Sequence, residues 1–236
     1  AVQAAVGDAG GLQVALIYRK LGYDADKFGP VGMVSGSPYL LAVRAGLPAA
    51  TFGEFVAYAR ANPAKLNFGS AGNASSPHLG LELLKLTANV DVMHVPFKSG
   101  SEAVNAAIGG QVDVVMDASP VIMPHAASGK LRALAVAADK RSPSLPDVPT
   151  AAAQGLPCAD ATVWWGLVGP AGMPPAVVQR LNQALQAALA DPAIKQRMGE
   201  MGAEITPGSA EDFGRFVAEE TVKWGKVIRA AGISAD

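Results

Sequence analysis

The chain has 236 residues, half of them hydrophobic and 17% charged, with a formal net charge of −1. That balance fits a packed globule and excludes a disordered chain, and it supplies no basic field to select nucleic acid. A single cysteine, Cys158, excludes an intrachain disulfide and argues against a cysteine-based metal site, and no apolar run reaches the length of a membrane span.

Ala1-Val2-Gln3-Ala4-Ala5 carries neither the basic segment nor the apolar stretch of an export leader. Leu12 to Lys20 reads as a strand or a short helix, and Leu21 to Pro30 as loop. The opening does not form a self-contained βαβ unit, so the chain reads as starting part-way through a domain. Val31 to Val34 predicts a short strand, Ser35-Gly36-Ser37-Pro38 an interruption, and Tyr39 to Val43 a second strand. An apolar strand broken by small residues suits a crossing between lobes. Thr51-x-x-Glu54 is a capping box that opens a helix, and Asn62-Pro63 ends it.

The stretch from Asn67 to Leu79 is the element around which the chain is organised. A short strand around Leu66 to Phe68 runs into a loop of small residues with Gly69 and Gly72, which permit close backbone approach. Ser76 is the expected N-cap, with Pro77 at the first helical position and an apolar helix through Leu79, Leu81, Leu83, Leu84 and Leu86. A strand, a glycine-bearing loop and a helix start bring unpaired N–H groups and the positive end of the helix dipole together, which suits an anion. Ser70, Asn73, Ser75 and Ser76 add side-chain donors. Any strand-to-helix turn needs a glycine and a cap, so the same residues also fit a plain connection. No Gly-Lys-Ser/Thr and no Gly-x-Gly-x-x-Gly closes the loop, which argues against a nucleotide; no cofactor is implied.

Asp91 to Pro96 predicts a buried strand, and Ser99 with Glu102 a second capping box, opening a helix that Gly109-Gly110 ends. Val112 to Met116 is the next strand, closed by Asp117. Ser119-Pro120 starts a helix, Gly129 stops it, and Leu131 to Ala137 is a further strand. Such alternation implies an α/β fold, with a parallel sheet covered by helices and ligand loops at the carboxyl ends of the strands. A proline-dense loop, Asp139 to Pro149, leads to a short helix at Thr150 to Gly155. Thr162 to Val168 is a strand with two tryptophans, which alternate between the two faces. Gly169-Pro170-Ala171-Gly172 is read as breaking it, in a second crossing. The remainder is helical: Pro174 to Leu189, a shorter helix after Asp191-Pro192, and a long one from Ser209.

Taken together, several stretches in order resemble the Bug (TctC-like) family, the extracytoplasmic solute-binding receptors of tripartite tricarboxylate transporters. They are Leu66 to Asn73 with Pro77-His78-Leu79, His94-Val95-Pro96-Phe97-Lys98, Gly109-Gly110-Gln111-Val112-Asp113 and Gly129 to Val136. Lys140 to Pro143 with Leu145 to Thr150, Trp165-Gly166-Leu167, Pro170-Ala171-Gly172 and Trp224-Gly225-Lys226-Val227 complete the set. The resemblance implies a two-lobed periplasmic binding protein (type II-like) with two crossing strands. One lobe is expected from residues 1–37 with 161–236 and the other from 38–160. Family members open with a strand and a Pro/Gly-rich loop that are not found here, so the first lobe is expected to be incomplete.

By resemblance, a ligand carboxylate sits on the loop through Ser70, Gly72, Asn73, Ala74, Ser75 and Ser76, with the glycine and alanine contributing backbone N–H groups. His78 either contacts the ligand or hydrogen-bonds locally. Asp117 holds a water, accepts from a ligand amine or hydroxyl, or caps the next helix. Of Trp164 and Trp165, one lines the cleft and the other the core. Lys98 and Tyr39 are weaker candidates, and His94 and His125 are read as structural. The implied function is capture of a dicarboxylate, tricarboxylate, acidic amino acid or aromatic acid in the periplasm by hinge closure, and delivery to membrane transporter subunits. Two other readings are an α/β hydrolase using Ser75 and His78, and a shortened chain that binds nothing. No Gly-x-Ser-x-Gly elbow supports the hydrolase.

Overall fold

A computed structural model describes residues 5–8, 27–138, 146–154, 161–200 and 203–233. Leu12 to Lys20 and Cys158 lie outside the described residues, as does the first half of the proline-dense loop. The chain divides into two units, Pro38–Thr162 and Ala1–Ser37 with Val163–Asp236.

The strand β1 spans Ala5–Asp8 and β2 spans Phe28–Arg44. The expected interruption in β2 is absent: one 17-residue strand runs from the second unit into the first. Ser35 and Ser37 are buried, and Pro38, which has no N–H to donate, uses its carbonyl to accept from Ser119 Oγ at 3.2 Å. Small residues here serve close packing of an extended chain and do not break it.

In the unit Pro38–Thr162, α1 (Phe52–Ala61) is followed by β3 (Asn67–Ser70), α2 (Ser76–Ala88), β4 (Met93–Pro96) and α3 (Gly100–Ile108). Then come β5 (Val114–Ala118), α4 (Ser119–Ala127) and β6 (Leu131–Ala137). The strands β3, β4 and β5 are mutually parallel. The second half of β2 pairs antiparallel with both β5 and β6, through Tyr39 to Val43. The sheet is therefore parallel in four strands, as the alternation implies, with one antiparallel strand inserted between β5 and β6. That strand enters from the other unit without a helical crossover, so no crossover rule fixes its direction. Asp113 locks the assembly: its carboxylate accepts from Arg44 Nε at 2.7 Å and from the Asn67 amide at 2.9 Å. A core of Leu40, Ala42, Val104, Val115, Ile122 and Val136 lies under α3 and α4. The short helix expected at Thr150 to Gly155 is one 3-10 turn, Ala152–Gln154.

In the other unit, β7 (Thr162–Pro170) lies between β1 and β2, and β8 (Glu204–Ile205) pairs with Ser35 and Gly36. The helices α5 (Pro175–Ala190), α6 (Pro192–Glu200) and α7 (Ala210–Ala231) complete it. The strand β7 continues through Gly169 to Pro170, past its expected end at Val168. Phe213 of α7 lies against Gly166, where a Cβ would stand 2.0 Å from the ring, and meets the Trp164 indole edge-on at 5.7 Å. Only glycine two residues after Trp164, on the same face of β7, leaves room for that contact.

Candidate functional site: the loop from Ser70 to His78

The loops after β3, β4 and β5 lie at the carboxyl ends of parallel strands, where open α/β sheets bind ligands. The first is the most polar. Gly72 has φ +117° and Ala74 φ +61°, a left-handed conformation that costs a non-glycine residue about 1 kcal/mol or more. The helix cap is Ser75, one residue before the expected Ser76: its Oγ accepts from the His78 amide at 3.4 Å and donates to the Gly72 carbonyl at 2.7 Å. Ser76 is thus the first helical residue and Pro77 the second, where the missing N–H still costs nothing.

The backbone N–H groups expected to face a ligand are engaged within the loop. Gly72 N–H donates to Ser70 Oγ at 3.1 Å, and Ala74 N–H donates to His78 Nδ1 at 3.0 Å. Asn73 is exposed at the centre of the turn.

His94 belongs to this cluster, although the sequence reads it as structural. It pairs opposite Phe68 in the β3–β4 ladder, which puts its side chain on the face that Ser70 also uses. Its Nε2 lies 2.5 Å from Ser70 Oγ, and its ring stacks on that of His78 with centroids 3.8 Å apart and planes 5° apart. Ser70 is 1% and His78 9% exposed, so both are covered while Asn73 is open. Burial lowers the pKa of both imidazoles. For His78, Glu82 opposes that shift and Lys85 adds to it. His94 falls to about 4, with His78 and Lys85 contributing after burial. A motif in chain order could hint at His78; the contact with His94 arises only from strand pairing.

The start of α2 departs from three other hydroxyl-capped helices. In α1, Thr51 accepts from the Glu54 amide, and the Glu54 carboxylate reaches back to the Ala50 N–H at 2.6 Å. In α3, Ser99 accepts from the Glu102 amide, and Glu102 reaches back to the Lys98 N–H at 3.1 Å. In α7, Ser209 accepts from the Asp212 amide, and the Asp212 carboxylate reaches back to the N–H of Ser209 itself at 3.0 Å. His78 holds the corresponding third position in α2 and makes the same backward bond, to Ala74, with a neutral ring. No acid stands in the first turn of α2. Its dipole is uncompensated where the other three carry a carboxylate of their own.

Asp117, the next-to-last residue of β5, accepts with one oxygen from the Ala118 amide at 2.7 Å; burial raises its pKa, and that hydrogen bond opposes the shift. Its bond is to the cap residue of α4, Ala118, and the helix start itself has no side-chain capping hydrogen bond. Its other oxygen lies over Gly100, where a Cβ would stand 1.8 Å away, so Gly100 at the start of α3 makes room for it. Lys98 is exposed, and Tyr39 is buried. Trp164 is buried against Phe213 and Phe216, while Trp165 is half-buried; of the pair, Trp164 takes the core position. The Ser75 hydroxyl faces the Gly72 carbonyl and the His78 ring faces the Ala74 amide, so the proposed nucleophile and base are not joined.

The family model described as the tripartite tricarboxylate transporter family receptor matches residues 4–233. This chain belongs to that receptor family. Its two-lobed α/β fold is that of the periplasmic binding proteins. A Rhodopseudomonas palustris protein, Rpa4515, solved with adipate, is 34% identical with a TM-score of 0.83, over 97% of this chain and 77% of that one. MatC from the same organism, with bound malate, is 33% identical with a TM-score of 0.79, over 95% of this chain and 78% of that one. Among curated relatives, a UPF0065 protein from the tcbD-tcbE intergenic region of Pseudomonas sp. strain P51 is 35% identical over 89% of this chain. Protein BugT of Bordetella pertussis is 30% identical over 86%. The receptor-family chain spans 63% and 62% of the lengths of those two relatives.

Proposed function

We propose that this chain captures a small dicarboxylate in the periplasm and delivers it to the membrane subunits of a tripartite carboxylate transporter. The family supports the receptor role, and two similar structures hold diacids, adipate and malate. The observation that carries the site is the hydroxyl-capped start of α2, which has no acid in its first turn. A ligand carboxylate supplies there the negative charge that Glu54, Glu102 and Asp212 supply elsewhere. In this reading Asn73 donates its side-chain amide, Ser75 and Ser76 add hydroxyls, and Gly72 and Ala74 turn their N–H groups to the ligand by exchanging their internal partners. Ser70 and His78 frame the loop. Asp117, whose pKa burial raises, accepts from a ligand hydroxyl.

A thermal-shift screen with mono-, di- and tricarboxylates, acidic amino acids and aromatic acids tests the reading. A ligand at about a hundred times its dissociation constant adds about 2.7 kcal/mol of stability, enough for a clear rise in melting temperature. A rise for a dicarboxylate is expected. A flat response across the whole panel from a cooperatively folded chain overturns it.

A further inference from the structure

We infer that His78 is a positioning residue whose neutral ring holds the loop closed on Ala74, and that carboxylate capture draws a proton onto it. The inference rests on the receptor reading. Its basis is the bond from Ala74 N–H to His78 Nδ1 at 3.0 Å. A ring nitrogen accepts only when it carries no proton, so this bond fixes the neutral ring with its proton on Nε2. The bond also anchors Ala74 in its left-handed conformation.

A carboxylate that takes the Ala74 N–H must displace that nitrogen. Once displaced, Nδ1 is free to bind a proton, and the resulting imidazolium faces the incoming anion as a donor. The surroundings select His78 over its neighbour for this proton. Glu82 Oε1 lies 3.9 Å from His78 Nε2 and favours the cation. His94, stacked 3.8 Å away, is held by Ser70 Oγ, and two rings at that spacing do not both carry charge. Lys85, bound to Glu82 at 3.0 Å, disfavours a cation on either ring, so the proton is taken up only when the ligand's negative charge arrives. Glutamate at the third helical position cannot act in this way, because its carboxylate repels the ligand in its usual ionised state.

The test is titration calorimetry of the wild-type chain with adipate and with malate, near pH 6.5 to 8, where both acids are dianions. Repeating each titration in buffers of different ionisation enthalpy counts the protons exchanged. The expected result is net proton uptake on binding, with affinity rising about three- to tenfold from the upper to the lower end of that range. In His78→Asn the amide oxygen stands where Nδ1 stands and does not titrate, so the pH dependence should vanish. Binding by the wild type with no proton uptake, or an undiminished slope in His78→Asn, overturns the inference and leaves the receptor reading intact. No binding of any acid in the wider panel at any pH overturns the receptor reading itself.

Discussion

The starts of α2 and α3 are neighbours in construction and opposites in chemistry. Each comes after one of two adjacent parallel strands, and each is capped by a serine. At the third position α3 carries Glu102, whose carboxylate closes the turn on the Lys98 amide and balances the helix dipole. In α2, His78 closes the turn on Ala74 and adds no negative charge. A helix start that contains its own acid is finished as a structural element. One closed by a neutral ring keeps its dipole available to an anion from outside.

The largest break in that contrast comes from making the two starts alike. His78→Glu should weaken dicarboxylate binding by more than a hundredfold in a calorimetric titration. Two like charges about 5 Å apart at an effective dielectric of about 20 repel by roughly 3 kcal/mol. Asn73→Leu comes next. It removes an exposed amide that the fold does not use, so affinity should fall at least about tenfold, or about 1.4 kcal/mol, with the melting temperature near wild type. Equal affinity in that variant removes the loop from the binding account.

Acid should separate the two loops more gently. The His94 pKa is depressed from 6.5 to about 4 in the folded chain, so the unfolded chain takes up the proton first. The contribution of neutral His94 is complete above about 6.5 and declines as the pH falls through that value towards 4. The ring is partly solvated, so the loss should be on the order of 1 kcal/mol. Denaturation at several pH values, with His94→Gln as the insensitive reference, measures it. On the other side, Glu102→Gln should cost α3 about 0.5 to 1 kcal/mol by the same assay, with no change in the His78 loop. The smallest effect is Ala74→Gly, which should stabilise the chain by about 0.5 kcal/mol, because glycine accepts the left-handed conformation without a Cβ clash.

Local signals made much of the fold legible in the sequence. Leu131 to Ala137 is a strand with those bounds, and Thr51, Ser99 and Ser209 open helices, because caps and apolar runs act over a few residues. The loop from Ser70 to Ser76 was legible for the same reason, although its cap moved to Ser75. Three features were not legible. Ser35 to Pro38 reads as a breaker because turn residues and closely packed strand residues share the same small side chains. The antiparallel insertion of β2 depends on partners some 70 or more residues away, such as Val114 opposite Val43. The contact of His94 with Ser70 and His78 depends on the β3–β4 register, and no spacing along the chain encodes it.

The most direct test of the central claim is a two-dimensional amide NMR titration of the chain with adipate and malate. The account predicts that the Gly72, Asn73 and Ala74 amides shift progressively and saturate together, while Glu102 and its neighbours at the start of α3 move far less. Saturable binding that leaves those three amides unmoved would contradict it.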